Sequence, residues 1–256
     1  MMPFPFLGTA VAVETRKALA SSTMRATTVS LVAGIALLSG AFVFLRSGGS
    51  GEVAAKLALL VRGQGWTGLI DAAEQVTAAG ALLAFGMGLS WIVGREFAHG
   101  TISGLFALPV PRRSIALAKL FVYAGWCALT TLLLVGILVV LGIAAGFGAP
   151  DGEALSALGR EGALGVLTGM LAVPCAWAAT LSRGILAGLG TAAGIVVAAQ
   201  VAVIAGAGPW FPIAAPALWA FQMGDVPDGA LALVAVVPVM FGSLTVWAWS
   251  RLQLDH

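Results

Sequence analysis

Six stretches of this chain contain no Asp, Glu, Lys, Arg or His: between Arg25 and Arg46, Glu74 and Arg95, Lys119 and Asp151, Glu161 and Arg183, Arg183 and Asp225, and Asp228 and Arg251. Each is long enough for a helix to cross the hydrocarbon layer of a bilayer, which takes roughly 20 apolar residues. Ionisable groups are costly inside that layer, so they act as rulers for its boundaries. With 60% hydrophobic and 9% charged residues, the chain has too little polar side chain to cover a soluble surface. The reading is an all-α integral membrane protein, with six transmembrane helices preceded by a cytoplasmic amphipathic interfacial helix.

Basic residues set the orientation, because they collect on the cytoplasmic side. With the N-terminus inside, Arg16, Lys17, Arg25, Arg95, Arg112, Arg113, Lys119, Arg183 and Arg251 are cytoplasmic; Arg46, Lys56, Arg62 and Arg160 are outside. An even number of spans then places both termini in the cytoplasm. The opening residues carry their basic groups after the first apolar stretch and lack a cleavage site, so they are read as retained and not as a secretory signal.

The organisation expected is an N-terminal interfacial helix in residues 1–27 and a six-helix transmembrane domain in residues 28–256. In the leader, Glu14 and Lys17 stand three apart and can pair on its wet face. The outer loop after the first span reads as a short helix, EVAAKLALLVR, with Glu52 and Lys56 at a supportive spacing. Asp151 or Ser156 can start the fourth span. Pro174 is expected to kink that span, and Ser182, Arg183 and Gly184 to turn a tight hairpin into the fifth. Cys127 and Cys175 are read as small apolar core residues.

Several chemistries are absent. None of the three lysines follows a glycine, so the chain has no phosphate loop and no ATPase of that kind. His99 and His256 are too few and too scattered for a metal site, and no nucleophile, base and acid share one depth. No ionisable group is expected in the middle of any span, which disfavours an ion-coupled carrier. Gln200, the most polar group expected in the core, is read as an interhelical hydrogen bond or a point on a substrate path, and Trp210 and Trp219, in the apolar, proline-rich loop before the last span, as an aromatic belt at the outer interface or a lid over that path.

The densest functional signal is GREFAHGTISGLFALPVPRRSIALAKL, residues 94–120. Gly100 tolerates the left-handed backbone that ends a helix, and Thr101 can cap a short one. Pro109 and Pro111 stop it, and Arg112 and Arg113 lead into the third span. The product is a helical knuckle at the membrane surface, with Ile102, Leu105 and Phe106 as an apolar face suited to a cytoplasmic partner.

The order Glu96, Gly100, Thr101, Leu105, Pro109, Arg112 or Arg113, then Lys119 resembles the E...GT...L...P..R......K signature of ATP-binding-cassette type 2 permeases, an export family. The six spans, the leader and the apolar loop before the last span are similar to that family as well. Pro111 departs from it, standing where many relatives place Ser or Thr. The resemblance implies a permease subunit of an ABC exporter in a bacterial or archaeal cytoplasmic membrane, moving a hydrophobic or amphiphilic cargo. It implies a second permease copy and two copies of a separate cytoplasmic ABC ATPase, which would hold the ATP and magnesium; this chain would bind no cofactor. Residues 96–108 would be the coupling helix, with Glu96, Gly100, Thr101, Ile102, Leu105, Phe106 and Pro109 at the ATPase, and Arg112 and Arg113 at lipid phosphates or the partner's acidic rim. The alternative is a membrane scaffold or sensor that recruits a cytoplasmic protein without moving anything. Neither reading involves nucleic acid.

Overall fold

The computed structural model describes residues 6–48, 63–107, 109–221 and 226–253. Among the described residues the regular structure is helical, in eleven segments and without a strand. They are α1 (Leu7–Ala20), α2 (Ser22–Gly48), α3 (Gly65–Ala98), α4 (Ile102–Phe106), α5 (Arg112–Ala144), α6 (Gly152–Leu171), α7 (Pro174–Leu181), α8 (Leu186–Ile204), α9 (Ala215–Ala220), α10 (Asp228–Val234) and α11 (Val236–Arg251). Six helical units are long and apolar enough to cross a membrane: α2, α3, α5, α6 with α7, α8, and α10 with α11. The chain is a multi-pass membrane protein.

Helix α3 is the central post. Its Leu69, Ile70, Phe85, Leu89 and Ile92 are almost fully buried, and α2, α5, α6, α7 and α8 all pack on it. Phe85, Leu89 and Ile92 follow the spacing of one helix face. By contrast, Leu129, Leu132, Leu133, Ile137 and Val140 of α5 are exposed, as suits a helix whose outer side meets lipid. Close approach is made possible by missing side chains. A methyl built on Gly86 would come within 2.5 Å of Ala192 Cβ, and one on Gly188 would collide with Ser90, so α3 and α8 touch through these glycines.

Local signals place most of the breaks. Asp151 Oδ1 accepts from the Ala154 amide at 2.8 Å and caps α6. Pro174 opens α7 directly after α6, because a proline cannot continue the hydrogen-bond ladder. Arg183, at φ 52°, makes the left-handed turn between α7 and α8, which pack as neighbours. The Ser21 hydroxyl accepts from the Met24 amide at 3.3 Å and starts α2 after the break that ends α1.

Two expectations are corrected. The first is the length of the spanning helices, which outrun the charge-free windows at their ends: α3 has 34 residues, about 50 Å at 1.5 Å per residue. Glu74, Lys119, Arg160 and Glu161 therefore lie inside spanning helices, and each is paired. Arg160 Nε is 3.6 Å from Glu74 Oε1, and Thr77 donates to Glu161 Oε1 at 2.5 Å. The second correction concerns Glu14 and Lys17. They do pair, at 2.6 Å, but Glu14 is buried and does not belong to a wet face. The expected Glu52 and Lys56 helix lies outside the described residues.

Candidate functional site

The candidate site is the end of the bundle where α1, the end of α3, α4, the start of α5 and the end of α11 meet. The chain leaves α3 through a Schellman turn. Gly100, at φ 67°, donates its amide to Phe97 O at 3.2 Å, and Thr101 donates to Glu96 O at 3.0 Å. Gly100 is thus the helix terminator its position suggests. Thr101 immediately precedes α4, but its hydroxyl makes no cap bond, so the capping expectation is corrected: the Schellman turn has already set the chain's direction.

Helix α4 covers only Ile102–Phe106, shorter than the expected 96–108, because Glu96 still belongs to α3 and the turn at Gly100 separates the two helices. Its apolar face points inward. Ile102 is buried, Leu105 and Phe106 are half-buried, and the Phe106 ring meets the edge of Trp249 at 6.2 Å. The face that faces outward carries Ser103, Gly104 and Ala107, beside exposed Gly100, Thr101 and Pro109. The expectation that Ile102, Leu105 and Phe106 form an outward docking face is therefore corrected, since an apolar stripe this close to a bundle is worth more buried against it.

Trp249 is the hub of this end and gave no motif signal in the sequence. It is fully buried, stacks edge-on to Phe97 at 5.8 Å, and donates its indole N–H to Thr180 Oγ1 at 3.1 Å. It thereby joins α11 to α3, α4 and α7. Arg112 reinforces the same junction. Its guanidinium lies 4.2 Å from the Phe106 ring centroid and donates to the Leu252 carbonyl, while Arg183 donates to the Gln253 carbonyl at 3.1 Å. Two basic residues thus hold the segment after α11. Arg113, one residue on, is exposed.

Beneath the knuckle lies a buried ionic cluster. Lys119 is fully buried, and its ammonium donates to Glu14 Oε2 at 2.9 Å, Glu96 Oε2 at 2.8 Å and the Ile92 carbonyl at 2.8 Å. Lys17 donates to Glu14 at 2.6 Å and Glu96 at 3.2 Å; Arg95 Nε is 3.5 Å from Glu96. Three cations and two carboxylates from three helices satisfy one another, which is the condition for charge to be tolerated away from water. Glu96 therefore spends its carboxylate inside the molecule. Burial lowers the proton affinity of the Lys17 ammonium, but the bond and charge of Glu14 and the charge of Glu96 outweigh it, leaving its pKa above the ordinary lysine value.

The sequence reading missed Glu14, Lys17, Arg95 and Lys119 as one unit. The only hint was that Lys119 sits seven residues into an apolar helix, where a lone ammonium would need anions. Beside the cluster runs a groove of about 600 Å³ between α1, α3 and α4, with Lys17, Trp91, Arg95, His99, Thr101 and Gly104 on its walls.

The residues of the expected substrate path lie towards the other end. Gln200 is exposed on α8, so its expected place in the core is corrected: α8 touches the bundle mainly through Gly188 and Ala192. Trp210 is 61% exposed, and Trp219 is half-buried on α9, a short helix that folds back against α6 and α3. Among the described residues no group of three or more His, Cys, Asp or Glu could hold a metal ion.

Compared with known proteins, residues 25–200 match the family model described as ABC-2 family transporter protein. No curated protein matches. No solved structure matches either.

Proposed function

The chain belongs to the ABC-2 transporter family, and from that membership we propose that it is the permease half of an exporter driven by a separate ABC ATPase. Family membership makes it the membrane subunit of an ABC transporter and implies an ATPase partner. The finer reading is that two permease copies stand on two ATPase copies, which hold the ATP and magnesium. The end bearing α4 faces the cytoplasm, as the basic residues gathered there favour.

The observation that carries the coupling assignment is the mounting of α4. A short helix is pinned by Ile102, Phe106 and Trp249 on its inner side and leaves Gly100, Thr101, Ser103, Gly104, Ala107 and Pro109 outside. Small side chains allow a partner's surface close approach, and the groove beside them, walled by Lys17, Arg95 and Glu96, adds polar groups at its edge. Glu96 and Arg112 act as positioning residues, through Lys119 and Phe106 respectively. Movement imposed on α4 would pass through Trp249 to α3, α7 and α11, and so into the spans. The cargo is hydrophobic or amphiphilic, and Trp210 and Trp219 stand towards the outer end of its path.

The test is co-expression with candidate ABC ATPase subunits from the same genome. The two should purify together, the pair should hydrolyse ATP, and the permease alone should not. If the pair forms and hydrolyses ATP but moves no cargo across vesicles, the scaffold reading replaces the exporter.

A further inference from the structure

On the outside of the bundle, α5, α6 and α11 enclose a groove of about 830 Å³ that is independent of the knuckle. Arg113 stands at its mouth, and Phe121, Ala128, Met170, Gly242 and Trp247 mark its apolar walls. Its volume lies within the roughly 300–1,000 Å³ typical of ligand sites. From Arg113 to Ala128 the groove follows α5 for about 22 Å at 1.5 Å per residue. That exceeds the half-thickness of a hydrocarbon core of about 30 Å. Its one charged wall residue is at the membrane-surface end. A second cation joins it there, since the Arg251 guanidinium lies 4.4 Å over the Trp247 ring.

We infer that this groove holds one acyl chain of an anionic phospholipid, with the headgroup phosphate at Arg113 and Arg251. The ligand must be apolar over two-thirds of a membrane span and negative at one end, and a phospholipid from the adjacent leaflet has that form. A guanidinium recognises a phosphate with paired N–H donors, which a zwitterionic headgroup's ammonium would partly compete for. A second copy of the chain is a poorer occupant. A two-fold axis along the membrane normal would bring four guanidiniums together at one end of the interface, where like charges repel.

The experiment needs no ATPase, so its outcome is separate from that of the proposed function. The full chain in detergent is titrated with phosphatidylglycerol or phosphatidylcholine brominated in the acyl chains, and quenching of tryptophan fluorescence is followed. Phosphatidylglycerol should quench at lower concentration, by about fivefold for each arginine. Trp247→Phe should remove the component of quenching that differs between the two lipids, leaving the background from other exposed indoles such as Trp210. Arg113→Gln with Arg251→Gln should equalise the two lipids, whereas the double lysine variant should keep most of the preference. Ala128→Phe, at an exposed position, should weaken both lipids without changing the melting temperature. Equal quenching by the two lipids in the native chain would overturn the proposal, as would a difference between the two lipids that survives Trp247→Phe. A disulfide between two Ala128→Cys chains would also overturn it, by showing that a second copy covers the groove.

Discussion

Lys119 and Glu14 stand 105 residues apart in the sequence and 2.9 Å apart in the fold. One is buried seven residues into α5 and the other belongs to α1, so this contact binds the N-terminal helix to the body of the protein. Lys119→Met should cost about 3–5 kcal/mol, the usual penalty for removing one member of a buried ionic set. The check is a thermal melt in detergent, with trypsin cleavage at Arg16 and Lys17 as the local readout. A melt unchanged from the native chain would show that α1 is held by something else.

The raised pKa of Lys17 predicts a pH dependence with a definite sign. A group whose folded pKa lies above its unfolded value contributes stability that is full below the unfolded value and is lost as the pH rises through the folded one. The stabilising contribution of Lys17 should therefore be constant through neutral pH and decline only above 10.5. The measurement is the difference in melting temperature between the native chain and Lys17→Gln across pH. A difference that already shrinks on going from acid to neutral pH would contradict the assignment.

The two faces of α4 should respond oppositely. Phe106→Ala removes the ring that joins Trp249 and Arg112, and should destabilise the chain by roughly 1–2 kcal/mol, below the range for a fully buried phenylalanine. Ser103→Trp or Ala107→Trp alters an exposed position and should change stability by less than about 0.5 kcal/mol. These outward variants should nevertheless abolish stimulation of the partner ATPase, whereas Phe106→Ala should only reduce it. Normal stimulation in both tryptophan variants would place the coupling surface elsewhere.

Glycines along α8 separate packing from propensity. Gly188 lies against Ser90 and the Cys175 carbonyl, so Gly188→Ala should destabilise by about 1–3 kcal/mol through overpacking. Gly194 has nothing within 4 Å, and Gly194→Ala should be neutral or stabilising by up to about 1 kcal/mol. Paired melts of the two variants decide the matter. Equal effects would mean that α3 and α8 do not meet through Gly188.

Much of the architecture was legible because its signals are local. Charge-free windows near Arg25, Glu74, Lys119 and Glu161 revealed the number of spans, and Gly100, Asp151 and Pro174 each mark a helix end by their own backbone chemistry. The facing of side chains was less legible. Ile102, Leu105 and Phe106 read as an apolar face in either direction, and only the position of Trp249, more than 140 residues later, turns that face inward. Gln200 looked like a core residue because it is surrounded by apolar sequence, yet in a membrane protein both the core and the lipid face are apolar.

The sequence by itself determined that this chain is a helical membrane protein, where its spans lie, and that residues 96–119 form its most specific segment. Those properties depend on runs of residue type and on short-range backbone preference, which need no knowledge of neighbours. Only the tertiary structure decided that Glu14, Lys17, Arg95, Glu96 and Lys119 form one cluster, that Arg112 turns to Phe106 and the residues after α11, and that Arg113 stands at a groove. The physical reason is that a charge in a low-dielectric interior is specified by its partners, and those partners come from helices whose separation along the chain carries no trace of their contact.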